Sequence, residues 1–195
     1  MSRDEKLAQI AASDTENYSI RKQALDDIQD RSILDYLAKN AKDSWIRLES
    51  AIEANNTEIL KELSRHSDER IRLEAAIELD NQELLADIAV NSKDGINRDL
   101  ALNYITSKNQ LRSVIEKSPR EQEKVKAAIR LGDKDVCKAL VAEVNDVDLL
   151  LNMAKYYNYP GLFTEISGKT SDSRIKKIVD DWHEELKSGA GIDID

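Results

Sequence analysis

The stretches WIRLESAIEA, residues 45–54, and RIRLEAAIEL, residues 70–79, are near copies of each other. A third copy, SIRKQAL, starts at Ser19, so Ile20-Arg21, Ile46-Arg47 and Ile71-Arg72 follow at steps of 26 and 25. Self-similarity at a fixed period of this size is the mark of a repeat architecture. A weaker copy, GINRDLALNYI, places Ile96 one such step further on, and KVKAAIRL around Val125 and LLLNMAKYY around Met153 continue the series in degenerate form. Between these copies lies a second set: SILDYLAKN, TEILKELSRH, QELLADIAVN, NQLRSVIEK, KDVCKALVAE and GLFTEISG.

Both sets are helical in pattern. Leu84, Leu85, Ile88 and Ala89, like Ile59, Leu60 and Leu63, recur at i, i+3 and i+4, and period-two alternation is absent. Only 6 Gly, 2 Pro and 5% aromatic residues among 195 leave few turn signals for a sheet and few strand formers. Start signals punctuate the chain at Ser13/Glu16, Asp80/Glu83 and Ser107/Gln110, and Ser118-Pro119-Arg120-Glu121 reads as an N-cap serine with proline at the first helical position. Helices of about ten residues are marginal alone. They must bury their faces on neighbours, with Ala24, Ala51, Ala75, Ala76, Ala101, Ala127 and Ala128 allowing close approach. The expectation is six to seven stacked helix pairs forming one domain over 1–188. A helix over 3–12 and one over 172–188, with Ile175, Ile178, Val179 and Trp182 on one face, serve as half-repeat caps. Residues 189–195 read as a flexible acidic tail.

The phrase D-x-x-I-R-x-x-x-A, present as Asp43 to Ala51 and Asp68 to Ala76 with a relative in Asp94 to Arg98, resembles the turn and second helix of HEAT repeats. The unit length is also similar to that of leucine-rich repeat variants. The resemblance implies an all-α fold, a right-handed α-solenoid of stacked antiparallel helix pairs forming an α–α superhelix. It implies that Asp43, Asp68 and Asp94 cap the second helices. Arg47, Arg72 and Arg98 would then reach a neighbouring repeat's aspartate, building a structural ladder. A local i, i+4 contact within each Asp/Arg pair is the other reading.

Several functions lose support from composition. A net charge of −9 argues against wholesale nucleic-acid binding, which demands a basic footprint. The lone Cys137 leaves no intrachain disulfide and no cysteine metal cluster, and it fits a reducing compartment. Residues 1–10 lack the apolar core of a signal peptide, and no 18-residue apolar run marks a membrane span, so the expectation is a cytoplasmic protein. No glycine-rich phosphate loop or nucleophile elbow occurs, and His183-Glu184-Glu185-Leu186-Lys187 has lysine where a zinc helix needs histidine. No catalytic, cofactor-binding or metal-ligating residue is assigned.

The remaining candidates are surface residues. Stacking the Ile-Arg helices sets Glu49, Glu74 and Asp99 in one column and Asp27, Glu53, Glu78 and Asn103 in another, an acidic strip on the face that HEAT-like stacks make concave. Beyond it the equivalent positions become Lys126 and Arg130. Trp45 matches Ser19, Arg70 and Gly95, all compatible with solvent, so it reads either as an exposed anchor or as a ring lying against the preceding helix end. Tyr156 and Tyr157, one of them near the Arg130 column, read either as core with a bonded hydroxyl or as interface residues. The sequence points to a non-catalytic scaffold that binds a protein or peptide, one of basic character. The alternatives are a nucleic-acid-binding solenoid similar to HEAT-like DNA glycosylases, resting on Lys124, Lys126, Arg130 and Lys155, and a protein similar to HEAT-like bilin lyases.

Overall fold

The computed structural model describes residues 1–157 and 159–188, so the expectation for 189–195 lies outside the described residues. Every regular element among the described residues is a helix, fourteen in all. They are α1 (Arg3–Ala11), α2 (Tyr18–Asp26), α3 (Arg31–Asn40), α4 (Ser44–Glu53), α5 (Thr57–Leu63), α6 (Glu69–Glu78) and α7 (Gln82–Asn91), then α8 (Gly95–Tyr104), α9 (Lys108–Lys117), α10 (Glu121–Leu131), α11 (Lys134–Glu143), α12 (Val147–Tyr157), α13 (Pro160–Lys169) and α14 (Ser173–Ser188). The chain divides into two compact units, Met1–Ile88 and Ala89–Asp195, with the division inside α7.

Short polar side chains start these helices. Asn17, Asp30, Asp43, Asn56, Asp68, Asp94, Ser107 and Asp133 each accept a hydrogen bond from a backbone N–H of the following turn, satisfying donors that no intrahelical carbonyl can reach. Three expected starts shift. Ser13 takes the N–H groups of Thr15 and Glu16 in a turn ahead of α2, and Asn17 is the cap. Asp80 lies in the left-handed region at φ 49°, and Asn81 caps α7 through Leu84 N–H at 3.1 Å. Ser118 closes α9, and α10 begins at Glu121 without a side-chain cap. The sequence pattern S-x-x-E/Q cannot distinguish a cap from a turn nearby in the chain.

The ends of α4 and α6 repeat one geometry. Asn55 sits at φ 51°, and Asn56 N–H returns to Ala51 O at 2.8 Å; at the next step Asp80 and Asn81 N–H to Ala76 O, also 2.8 Å, do the same. A left-handed residue closing a helix this way satisfies its last carbonyls.

In the first unit α1 packs on α2 and α3, α3 on α4, α4 on α5, and α5 on α6, while the second helices α2, α4 and α6 contact in succession. One apolar cluster joins Ala11, Leu25, Leu34, Leu37 and Ala54; the next joins Leu48, Ala51, Leu60, Leu63, Ile71 and Ala75. In the second unit α9 packs on α10, α8 and α12 flank α10, and α11 and α12 both pack on α13, which carries α14. Its core gathers Val125, Leu140, Leu150, Met153, Leu162, Phe163, Ile166 and Val179. Trp182 of α14 stacks on Phe163 at 4.8 Å between ring centroids, fastening the last helix.

The Ile-Arg register needs correction. Ile46 and Ile71 are buried as expected, but Ile96 is 70% exposed and its neighbour Asn97 turns inward at 7%. Asp94 is the cap of α8, so the third helical residue is Asn97, and the step from Ile71 runs to Asn97 and not to Ile96. Ile20 holds the buried register of α2 yet is 43% exposed.

Two outcomes follow from these features. Replacing Asn55 by Ala should lower unfolding stability by about 1 kcal/mol, because a Cβ without a bonding side chain strains the left-handed position, whereas Asn55→Gly should stay within about 0.5 kcal/mol; urea denaturation of both variants measures this. Burial pushes the Cys137 thiol above the usual thiol range, so the folded chain holds that proton more tightly than the unfolded one. The resulting stability is intact at neutral pH and falls as pH rises through the ordinary thiol range toward the raised value. Cys137→Ala should flatten the loss in melting temperature between about pH 8 and 10.

Candidate partner-binding surface

The expected ladder takes a different form. Arg21 of α2, itself buried, donates from Nε to the Ala11 carbonyl at 3.1 Å and from Nη1 to Asp43 Oδ2 at 3.0 Å. That is the rung the HEAT resemblance implies, from one pair to the aspartate of the next. Arg47 donates from Nε to Ala38 O at 3.1 Å, but its other bond goes to Glu62 at 3.0 Å and not to Asp68. Arg72 binds the carbonyls of His66 and Ser67 and pairs with Glu69 at 3.6 Å. Arg98 binds the carbonyls of Ser92 and Lys93, and its Nε donates to Glu123 at 2.6 Å. What recurs is capture of a backbone carbonyl ahead of the second helix, in the last turn of the first helix for Arg21 and Arg47 and in the connecting loop for Arg72 and Arg98; the carboxylate partner varies. Asp43, Asp68 and Asp94 are the N-caps the resemblance implies.

The acidic columns are only partly open. Lys22 lies between Asp26 and Glu49, 3.5 Å from the latter. Burial opposes its charge, yet the bonds to Asp26 and Glu49 outweigh that and hold the ammonium above the usual lysine range. Beside it burial and the Glu49 charge lift the Tyr18 hydroxyl above the usual tyrosine range. Glu74 takes Arg70 at 2.9 Å within its own helix. Asp27 lies 3.6 Å from Arg3. Glu53 and Glu78, at equivalent places on α4 and α6, are exposed and carry no ion pair among the described residues. In the second unit Asp99 is neutralised by Lys126 at 2.6 Å. The change of sign foreseen along the strip from Asp99 to Lys126 is therefore an ion pair between neighbouring helices, and with Asn97 as the inward residue Asp99 falls one place short of the register of Glu49 and Glu74.

The cationic and aromatic candidates are less free than their sequence positions suggest. Lys124 pairs with Glu143 at 3.5 Å, and Arg130 donates to Ile105 O at 3.1 Å. Tyr157 is half-buried and donates to the Ala128 carbonyl at 2.8 Å, with Ile129 O also in reach. Tyr156 is 64% exposed and meets the Tyr157 ring edge-on at 5.2 Å. Trp45, a candidate exposed anchor, is half-buried against the cluster containing Leu48, Leu60 and Leu63. An indole on the first turn of α4 can fold back onto α5, which a comparison of equivalent positions does not reveal.

Two facts were missed in the sequence. Unit 1 holds twenty acidic against twelve basic residues and unit 2 eighteen against seventeen, so eight of the nine net negative charges belong to Met1–Ile88. A groove of about 390 Å³ also runs between α1 and α3, lined by Ala8, Ala12, Ile33, Tyr36 and Leu37. Among the described residues no three His, Cys, Asp or Glu side chains stand where they could hold a metal ion, and no helix is long and apolar enough to cross a membrane. No known protein family, curated protein or solved structure matches the chain.

The arginine contacts set an expected cost. Arg21→Met keeps the apolar stem but strands the Ala11 carbonyl and the Asp43 carboxylate, and should lower stability by about 2–3 kcal/mol. A loss below about 0.5 kcal/mol in guanidinium denaturation would show that the bridge adds nothing beyond packing.

Proposed function

We propose that the protein is a non-catalytic binding scaffold whose first unit holds a basic protein or peptide segment along α2, α4 and α6. In this reading each unit stacks its helix pairs as a right-handed α-solenoid of the HEAT-like kind, with the second helices lining the concave side. The observation that carries it is the segregation of charge. Nearly all the net negative charge lies in Met1–Ile88, and Glu53 and Glu78 repeat there as exposed carboxylates without an ion pair among the described residues. An acidic field of this kind speeds encounter with a cationic partner and disfavours phosphate backbones.

The neighbouring carboxylates illustrate the chemistry. Asp26 and Glu49 already receive an ammonium from Lys22, and Glu74 a guanidinium from Arg70. Glu53 and Glu78 can receive the same groups from outside. Tyr18, 45% exposed at the edge of the Lys22 cluster, supplies an apolar contact beside them. A nucleic-acid role draws less support, because Lys124, Lys126 and Arg130 are engaged internally.

Charge reversal tests the reading. The double variant Glu53→Lys, Glu78→Lys should weaken binding of a lysine-rich peptide by about tenfold or more and flatten its salt dependence, with the thermal midpoint unchanged because both side chains are exposed. Equal affinity and equal salt dependence in fluorescence titrations would reject the acidic face as the binding surface.

A further inference from the structure

In α4, α6, α8 and α10 the third residue holds one inward register. It is Ile46 in α4, Ile71 in α6, Asn97 in α8 and Glu123 in α10. Where the first unit fills this place with isoleucine, the second unit fills it with an amide and then a carboxylate only 1% exposed. Ser92 and Ser118, also buried, precede the same two helices, so polar side chains stand between α8 and α10 at the register that isoleucine fills in α4 and α6.

The bonding there is lopsided. Glu123 Oε1 accepts from Arg98 Nε at 2.6 Å, while Glu123 Oε2 is buried with no hydrogen-bond partner. Arg98 keeps two further acceptors, the carbonyls of Ser92 and Lys93, each at 3.1 Å. The guanidinium keeps its two carbonyls through Nη1 but has Glu123 alone at Nε; the carboxylate has nothing but the guanidinium.

We propose that the α8–α10 contact is a polar latch, the place where the helix pairs of the second unit part most readily. Separating two isoleucine-lined helices exposes apolar surface to water and gains nothing in return. Separating α8 from α10 breaks the Arg98–Glu123 and Lys126–Asp99 ion pairs and the Arg130 bond to the Ile105 carbonyl, but Lys126 and Asp99 are already partly hydrated, and the return of the buried Glu123 carboxylate to water offsets much of the lost attraction. Local opening follows the contact with the smallest net cost. The latch lets α8 move against α10 while Arg98 stays bound to its own pair.

Native-state hydrogen exchange on the full chain, read by mass spectrometry, tests this. In the unaltered protein the amides of α8 and α10 should exchange about tenfold or more faster than those of α4 and α6. The double variant Arg98→Met, Glu123→Ile, which removes both charges and restores the inward residue of the first unit, should slow α8 and α10 by a similar factor and leave α4 and α6 unchanged. Arg98→Met, which strands Glu123, should speed them. Protection of α8 and α10 equal to that of α4 and α6 in the unaltered protein would overturn the latch, whatever the variants do. So would faster exchange in the double variant than in the unaltered protein.

Discussion

A short helix leaves the four carbonyls of its last turn without an intrahelical donor, almost as many as it satisfies. This constraint governs most of what the arginines do here. Arg21 and Arg47 project from a second helix onto the last turn of the first helix of the same pair, and Arg72 and Arg98 onto the loop that follows it. Lys169 does the like for α11 through the carbonyls of Val141, Ala142 and Val144. A guanidinium suits the task because it has donors left over, and these reach carboxylates on other helices. Carbonyl capture is thus the constant function of the column, and ion pairing is what each position does with its spare donors.

The helical content was legible because amphipathic spacing and short polar caps are local. α11 coincides with KDVCKALVAE, and α7 with QELLADIAVN. What escaped was decided by register and by neighbours. Matching Ile96 to Ile71 followed the apolar side chain, whereas the cap Asp94 fixes Asn97 as the inward residue. The burial of Glu123 was concealed because α10 has no side-chain cap to count from. The run Ala127-Ala128-Ile129, matched to Ala75-Ala76-Ile77, would have aligned Glu123 with Ile71. Trp45 and the acidic columns depended on rotamers and on residues of other helices, neither of which a single column records.

The charge distribution shows why a whole-chain value misleads. A total of −9 suggests a uniformly acidic surface, yet the second unit is nearly balanced. Within the first unit twelve cations cannot pair twenty carboxylates, and what singles out Glu53 and Glu78 is their equivalent positions on α4 and α6. Local neutralisation also relieves the repulsion that stacked like charges would impose.

Since each arginine takes its carbonyl from inside its own pair, a pair carries its own fastening. Gain or loss of one helix pair leaves the remaining pairs intact, and only the contacts between pairs must be remade. The inward place can then differ from pair to pair without loosening that fastening, as Ile71, Asn97 and Glu123 do.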